Sequence, residues 1–197
     1  MSLHGVRIVV LGLIASLCVS GVALADTYEL DKAHTTVGFV VRHLVISKVR
    51  GEFQDYEATI QFDGDDITKS SMRGMIQVAS IDTEEAKRDK HLRSPDFFDA
   101  DQFPQITFAS KSIQKQGDGY VMIGDLTMRD VTKEIALPFS IVGPITHGKQ
   151  ARIGFEAELE INRQDYGIAY SKVADTGGLV VSNTVLIEIN GEAIKQE

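Results

Sequence analysis

Alternation of apolar and polar residues is the dominant pattern of this chain after residue 26. The clearest case runs from Ile153 to Ile161, where every second residue is apolar and most of the residues between them are glutamates. A period of two places each set on one side of a sheet, so this stretch predicts a half-buried β-strand. Similar runs recur along the chain, separated by turn signals such as Asp63-Gly64-Asp65.

The number and length of these runs predict the fold class. About eight strands with short turns indicate an antiparallel all-β protein. Several runs are long, including 35–46, 51–62 and 72–81, which favours an up-and-down barrel over a sandwich of short strands. A barrel of this size is either filled by side chains or holds one small ligand. The small residues on the expected inward faces fit either an elongated void or bends of the barrel: Gly38, Gly74, Gly124 and Ala157.

One segment in the middle of the chain, 80–99, departs from the alternation. Asp82 followed by Glu85 has the form of an N-cap with a capping box, so we predict a helix that begins near Thr83. Ser94-Pro95 is expected to end it, because the residue before a proline avoids the α region. This helix is either the lid of the barrel or an ordinary solvated surface. It carries a basic cluster and is followed by three aromatic residues: Lys87, Arg88, Lys90, His91 and Arg93, then Phe97, Phe98 and Phe103.

The N-terminus has the form of a secretory signal peptide. Arg7 precedes an apolar run over residues 8–19, and Ala23-Leu24-Ala25 is an A-x-A cleavage signal. We therefore predict a signal peptide over residues 1–25, cleaved after Ala25, and a mature domain over residues 26–197. The apolar run is too short for a comfortable membrane span, so the protein is not expected to be membrane-spanning. The style of the leader points to the periplasm.

Charge and cysteine content narrow the function classes. The formal charge is −8, and loss of the leader with its single arginine makes it −9. An acidic surface argues against a nucleic-acid partner and against adsorption to anionic membranes. The one cysteine, Cys18, lies in the leader, so the mature chain is expected to have no disulfide, no thiolate metal site and no cysteine nucleophile.

Catalytic constellations are not evident in the sequence. There is no G-x-S-x-G elbow, no phosphate-binding glycine loop and no H-E-x-x-H motif. Asp31 and His34 have the spacing of a base and its orienting partner, but nothing near them resembles a nucleophile. We therefore expect no enzyme, no metal and no cofactor.

Several motifs resemble those of the YceI family, across essentially the whole mature chain. The most specific is the central group with its spacing. The matching segments are Asp31–Phe39 with His43, Val49–Phe53, Ser80–Thr83, Arg88–Ser94, Asp96–Asp99, Phe103-Pro104, Gly124–Met128, Arg152–Phe155 and Asn162–Gly167.

This resemblance implies a lipocalin-like antiparallel barrel with an elongated apolar cavity. By the same resemblance the ligand is a long isoprenoid chain, such as a polyprenyl phosphate or a quinone tail, or a fatty-acid-type amphiphile. Such proteins are typically periplasmic and often homodimeric, and no enzymatic activity defines the family. The chain lacks tryptophan, so the glycine-x-tryptophan signature of ordinary lipocalins is missing.

These observations lead to a hypothesis of passive binding of one amphiphile. Each buried methylene group is worth about 0.8 kcal/mol, so a long tail binds firmly without polar recognition. A polar head at the mouth needs cationic donors. The predicted head-group residues are His34, Arg88, His91 and Arg93. The predicted apolar cavity residues are Val37, Phe39, Val41, Ile76, Val78, Phe108, Leu126 and Phe155.

Three alternatives stay open at the level of the sequence. The same cavity would suit sequestration of hydrophobic toxins or antibiotics. A barrel enzyme acting on a bound isoprenoid lipid would use Asp31 and His34 as acid–base groups. A barrel packed without a cavity would act through its surface instead.

Overall fold

A computed structural model describes residues 25–44, 46–173 and 180–197. Apart from Ala25, the predicted signal peptide lies outside the described residues. Within them the chain is almost entirely β-strand. The strands are β1 (Asp26–Leu30), β2 (Thr36–His43), β3 (Ser47–Phe53), β4 (Tyr56–Phe62), β5 (Ser71–Gln77), β6 (Ile81–Asp82), β7 (Gln105–Gln116), β8 (Gly119–Met128), β9 (Val131–His147), β10 (Gln150–Asn162) and β11 (Val181–Lys195).

The strands form one antiparallel sheet that closes on itself. β11 pairs with β10 on one side, and on the other side with β2 and then β1. β3 and β4 pair in turn with β2 and β1, and β6 and β5 pair with β3 and β4. β1 and β2 therefore act as one interrupted strand of the barrel, and so do β3 with β4 and β5 with β6. Counted in this way, the barrel has eight strands. The predicted antiparallel barrel of about eight strands is confirmed.

The sequence predicts continuous strands over 51–62 and 72–81, but the structure interrupts both of them. The first break lies between β3 and β4. Two backbone hydrogen bonds fix it: Gln77 N donates to the Asp55 carbonyl oxygen at 2.9 Å, and Gln54 N donates to the Ser80 carbonyl oxygen at 3.1 Å. The second break is a short 3-10 helix, Val78–Ser80. Irregularities of this kind let a sheet curve enough to close.

The helix α1 spans Ala86–Arg93, so its predicted start near Thr83 is wrong. The N-cap is Glu85, whose carboxylate accepts from Lys87 N at 3.1 Å and Arg88 N at 2.7 Å. Asp82 belongs to β6 instead, because its backbone pairs with Glu52 of β3. The predicted end is right, since Ser94 is the C-cap. Among the described residues no helix is long and apolar enough to cross a membrane.

The core is divided along the barrel axis. Tyr28, Phe62, Ile153 and Ala193 form a tightly buried cluster at the end where β1 meets β11. The largest cluster lies under α1 and includes Val78, Phe97 and the flanking Leu92 and Phe98. The helix and the segment that follows it therefore cover the end of the barrel opposite the Tyr28 cluster, as a cap connecting β6 to β7.

Candidate functional site

The barrel encloses an apolar cavity of about 350 Å³. This volume lies within the range of roughly 300–1,000 Å³ that is typical of ligand pockets. Its wall is made mainly of aliphatic and aromatic side chains from the strands and from α1. The polar residues on the wall are His43, Tyr56, Glu57, Thr83, Arg88, His91, Thr107, Arg163 and Tyr170.

The predicted apolar residues fall mostly on this wall. Seven of the eight line the cavity: Val37, Phe39, Val41, Ile76, Phe108, Leu126 and Phe155. Val78 is the exception and is a correction. It lies in the 3-10 helix between β5 and β6, is fully buried, and donates its backbone N–H to the Pro104 carbonyl oxygen at 2.9 Å. The 3-10 helix breaks the period of two, which turns Val78 away from the cavity and into the packing under α1.

The predicted head-group residues separate into two pairs. Arg88 and His91 lie on the cavity wall, whereas His34 and Arg93 do not. His34 lies in the 3-10 helix Lys32–His34, and its Nδ1 is 2.9 Å from Asp31 Oδ2. Arg93 directs Nη1 to the carbonyl oxygens of Ala79 and Ile81, at 3.4 and 3.2 Å. The predicted head-group role of His34 and Arg93 is therefore corrected. Asp31 holds the His34 side chain away from the cavity, and the carbonyl oxygens of Ala79 and Ile81 hold that of Arg93.

Arg88 is held in position by the segment that precedes the helix. Its Nε donates to Thr83 Oγ1 and its Nη2 to the Thr83 carbonyl oxygen, both at 2.7 Å. Thr83 is in turn fixed by buried Asp89, whose Oδ1 accepts from Thr83 N at 3.0 Å and from Thr83 Oγ1 at 2.5 Å. A guanidinium has five N–H donors, so three N–H groups have no partner among the described residues. Arg88 itself lies on the cavity wall.

His91 lies between aromatic rings on the same wall. Its ring meets those of Phe97 and Tyr170 edge-on, with centroids 5.0 and 5.2 Å apart. Its Nε2 is 2.8 Å from Asp96 Oδ2, which fixes the orientation of the ring. The face of α1 that points inward is therefore a mixture of one guanidinium, one imidazole and the apolar side chain of Leu92.

Arg163 is a wall residue that the sequence did not single out as a site. It is buried, and its guanidinium donates to the Ser182 carbonyl oxygen at 3.0 Å, to the Ile168 carbonyl oxygen at 2.6 Å and to Asn183 Oδ1 at 2.9 Å. No carboxylate oxygen of the described residues lies within 4.0 Å of it. Burial lowers the pKa of Arg163 from its usual value. A buried cation held only by neutral acceptors favours an anion nearby.

Asp31 and His34 belong to a different, outward cluster. Arg152 Nη1 donates to Asp31 Oδ2 at 2.6 Å and to Glu192 Oε2 at 3.0 Å. Hydrogen bonds from Arg152 and then His34 lower the pKa of Asp31 to about 2. The ligand atoms of Asp31, His34 and Glu192 are close enough to hold a metal ion. Arg152 already donates hydrogen bonds to both carboxylates, however, and none of these residues is on the cavity wall. The geometry therefore does not favour an acid–base role on a ligand in the cavity.

Comparison with known proteins identifies relatives of this chain. Residues 28–193 match the family described as the YceI-like domain. The protein YceI of Escherichia coli is 41% identical over 154 residues, which cover 76% of this chain and 80% of that protein. A crystal structure of a YceI protein from Campylobacter jejuni is 38% identical, with a TM-score of 0.68, covering 85% of this chain and 97% of that one.

A more distant structure shares the fold. It is a domain from Saccharophagus degradans, titled a polyisoprenoid binding domain, and it is 18% identical with a TM-score of 0.62. The match covers 88% of this chain and 99% of that chain. At this identity the likeness concerns the fold alone.

Proposed function

This chain belongs to the YceI family, and on that premise we propose that it is a periplasmic binding protein which holds one long-chain amphiphile in its barrel. The tail lies in the cavity and the polar head lies near α1. The ligand class is a polyisoprenoid, a quinone with an isoprenoid tail, or a fatty-acid derivative. Binding serves transport, storage or a stress response, and the protein does not transform its ligand.

The observation that carries this proposal is the enclosed apolar cavity. Its wall is made mainly of aliphatic and aromatic side chains, which give a tail dispersion contacts and remove it from water. At about 0.8 kcal/mol per buried methylene group, ten methylene groups are worth about 8 kcal/mol before the costs of binding are subtracted. That gain is enough for firm binding and depends little on the chemical detail of the tail.

The polar end of the cavity supports an amphiphile over a plain hydrocarbon. Arg88 brings unpartnered donors to the wall, and Arg163 brings a buried positive charge without a carboxylate partner among the described residues. A phosphate or carboxylate head would accept hydrogen bonds from these guanidinium groups, which bind such anions in a bidentate geometry. A carbonyl head, as in a quinone, would accept the same donors more weakly.

A relative in fold supports the isoprenoid class, and the predicted leader supports the compartment. The Saccharophagus degradans domain is described as a polyisoprenoid binding domain, and the shared barrel supports the same ligand class here. The periplasm is supported by the predicted leader. Homodimer formation, which the family resemblance suggested, stays a prediction.

Native mass spectrometry tests the proposal. The protein is expressed with its own leader, purified without detergent, and sprayed under non-denaturing conditions. We expect a co-purified lipid mass, or uptake of added polyprenyl phosphate, quinone or palmitate in a one-to-one complex. A purely apo mass that takes up none of these lipids would contradict the proposal.

Two neighbouring residues of β11 provide a matched pair of variants. Ile187 lines the cavity, whereas Leu186, the preceding residue, lies on the opposite face of the sheet. Ile187→Trp fills the cavity and is expected to abolish the lipid-bound mass, while Leu186→Trp retains it. Circular dichroism verifies that both variants fold. Equal retention of lipid by the two variants would place the ligand outside the barrel.

A further inference from the structure

We infer that the tip of the β2–β3 hairpin docks the protein on the surface of an anionic phospholipid bilayer. The purpose of this docking rests on the proposed function, since a carrier of an amphiphile must meet the membrane that holds its ligand. The docking itself rests on separate observations on apolar exposure, backbone strain and charge at one end of the barrel.

Apolar side chains are exposed together at this end. Ile46 at the tip is 82% exposed, Leu44 is 37% exposed and Val173 is 56% exposed. Backbone hydrogen bonds link the hairpin to the neighbouring segment, from Leu44 N to the Val180 carbonyl oxygen and from Val180 N to the Lys172 carbonyl oxygen, both at 2.9 Å. Exposed apolar side chains of this kind suit contact with a partner or a membrane. Val142 and Ile145 are also exposed, towards the other end of the barrel, so the choice of this end rests on the charges of the hairpin.

Leu44, next to the tip, has an unfavourable backbone conformation for a leucine. Ile46 N donates to the His43 carbonyl oxygen at 3.1 Å, which closes a tight turn, and Leu44 has φ of +51°. Such turns favour glycine, asparagine or aspartate, because a bulky side chain is disfavoured at positive φ. Leucine at this position gains no turn geometry, and it stays 37% exposed. Strain that the fold does not need is a sign of function at the site.

Two positively charged side chains face each other across the hairpin beside its tip. Arg42 and Lys48 are register partners across the hairpin, and like charges directly opposite each other destabilise a strand pair. No carboxylate oxygen of the described residues lies within 4.0 Å of either side chain. An anionic lipid surface would relieve this repulsion and attract both basic residues.

The overall acidity of the protein does not contradict a local attraction. The formal charge of −8 argued, as an average, against adsorption to anionic membranes. Exposed acidic residues such as Glu156, Glu158 and Glu160 lie instead along the outer wall of the barrel on β10. At physiological salt, charges more than about 8 Å apart in solvent are largely screened, so the basic hairpin acts on a surface locally.

The hairpin also forms part of the cavity wall. Val41 and Val49, which face each other across it, line the cavity, as do His43, Val180 and Val181. A bilayer that receives the tip would therefore meet this end of the cavity directly. The tail of a ligand would then pass between membrane and barrel with little exposure to water.

Co-sedimentation with vesicles tests the inference. The protein, expressed with its own leader and purified without detergent, is mixed with vesicles of equal parts phosphatidylglycerol and phosphatidylcholine, and separately with pure phosphatidylcholine. We expect binding to the anionic vesicles that weakens as salt is raised. Ile46→Asp should lower the partition coefficient about tenfold or more. The double variant Arg42→Gln with Lys48→Gln should lower it about thirtyfold on anionic vesicles.

The opposite end of the barrel supplies a matched control. Ile145, in the hairpin between β9 and β10, is 60% exposed, and its hairpin lies beside the C-terminal end of β11, whereas the β2–β3 hairpin lies beside its N-terminal end. Ile145→Asp should leave vesicle binding unchanged. An equal loss in the two aspartate variants, or no binding by the unaltered protein, would overturn the inference. So would a dimer that Ile46→Asp dissociates without any vesicle binding, since the hairpin would then contact a second copy.

The readouts separate this inference from the proposed function. Ile46→Asp should still carry lipid by native mass spectrometry, because residue 46 does not line the cavity. Loss of docking with retained lipid supports both statements. An apo protein that still binds vesicles through Ile46 would leave the docking standing and remove the proposed ligand.

Discussion

Arg88 and Thr83 are joined by two hydrogen bonds of 2.7 Å, one to the Thr83 hydroxyl and one to its backbone carbonyl. The pair fastens the first turn of α1 to the strand segment before it. Because Asp89 holds Thr83 from the other side, the three side chains form one unit. This unit aims a guanidinium at the cavity without a mobile linker, which suits a residue that receives a polar head.

Replacement of Arg88 tests the head-group role. Arg88→Met removes both hydrogen bonds to Thr83 and should lower the free energy of unfolding by about 2 kcal/mol. It should also weaken binding of a polyprenyl phosphate about tenfold or more, while binding of the uncharged polyprenol changes little, because only the phosphate needs the charge. The affinity ratio of the two lipids is the measurement.

Arg93→Met is the control for Arg88→Met. Arg93 also donates to backbone carbonyls near β6, but it is not on the cavity wall. Arg93→Met should lower the free energy of unfolding without changing the ratio of the affinities for the two lipids. A ratio that changes equally in both variants would assign the effect to the fold of the helix and not to the head group.

Arg163 is predicted to be a structural cation as well as a wall residue. Arg163→Met leaves buried acceptors without donors, among them the carbonyl oxygens of Ser182 and Ile168, and should lower the free energy of unfolding by about 3 kcal/mol. Denaturant titration measures this change. Arg42→Met, at an exposed arginine, should change stability by less than about 0.5 kcal/mol. A negligible effect of Arg163→Met would refute its burial in this network.

Gly124 is required by the ring of Phe108. A Cβ atom at Gly124 would lie 2.5 Å from Phe108 Cζ and 2.6 Å from the Ala109 carbonyl oxygen. Gly124→Ala should therefore cost about 2 kcal/mol of stability, because the Cβ atom would overlap the backbone of β7 as well as the ring. Gly154→Ala is the matched control, since a Cβ atom there meets nothing within 4 Å. Thermal unfolding should show a lower midpoint for the first variant alone.

Asp31 gives the stability of the protein a defined acid dependence. Its pKa is lowered to about 2 from an ordinary value of 3.8, first by the hydrogen bond from Arg152 and then by that from His34. The folded state therefore binds the proton less readily than the unfolded chain. The stabilisation is complete above about pH 4 and is lost as the pH falls towards 2.

Asp31→Asn should remove this contribution. We expect the free energy of unfolding at neutral pH to fall by about 1 kcal/mol, since the ion pair is partly solvated. The difference between variant and unaltered protein should vanish as the pH approaches 2. Asp118→Asn, in an exposed turn, serves as the control. A difference that stays constant down to pH 2 would show that the carboxylate charge is not responsible.

Alternation along the strands was enough to predict the barrel and most of the apolar wall. Val37, Phe39 and Val41 face inward because successive side chains of a strand point to opposite sides, and their neighbours in β2 follow the same rule. Val78 failed because the period of two holds only while the backbone is extended. The sequence gives no sign of the 3-10 helix that replaces the strand at that position.

The polar end of the site was predicted less well. Arg88, His91 and Arg93 are close together on α1, yet only the first two reach the cavity, since Arg93 finds carbonyl acceptors on β6. His34 is hydrogen-bonded to Asp31 outside the cavity. Arg163 had only one signal in the sequence, its place in the Asn162–Gly167 motif directly after β10, and that signal does not distinguish a wall residue from a structural one.

The pattern of neighbouring residues thus determines where the chain is extended and which side of each strand is apolar. Strands with this pattern close into a barrel. The convergence of polar groups depends on partners distant in the chain. Val37 meets Ile189, and Arg163 meets Asn183, through strand pairing and packing that no short segment specifies. Hydrogen-bond partners are chosen after the strands have found their registers, so the cationic end of the cavity and the strained hairpin beside it became visible in the folded chain alone.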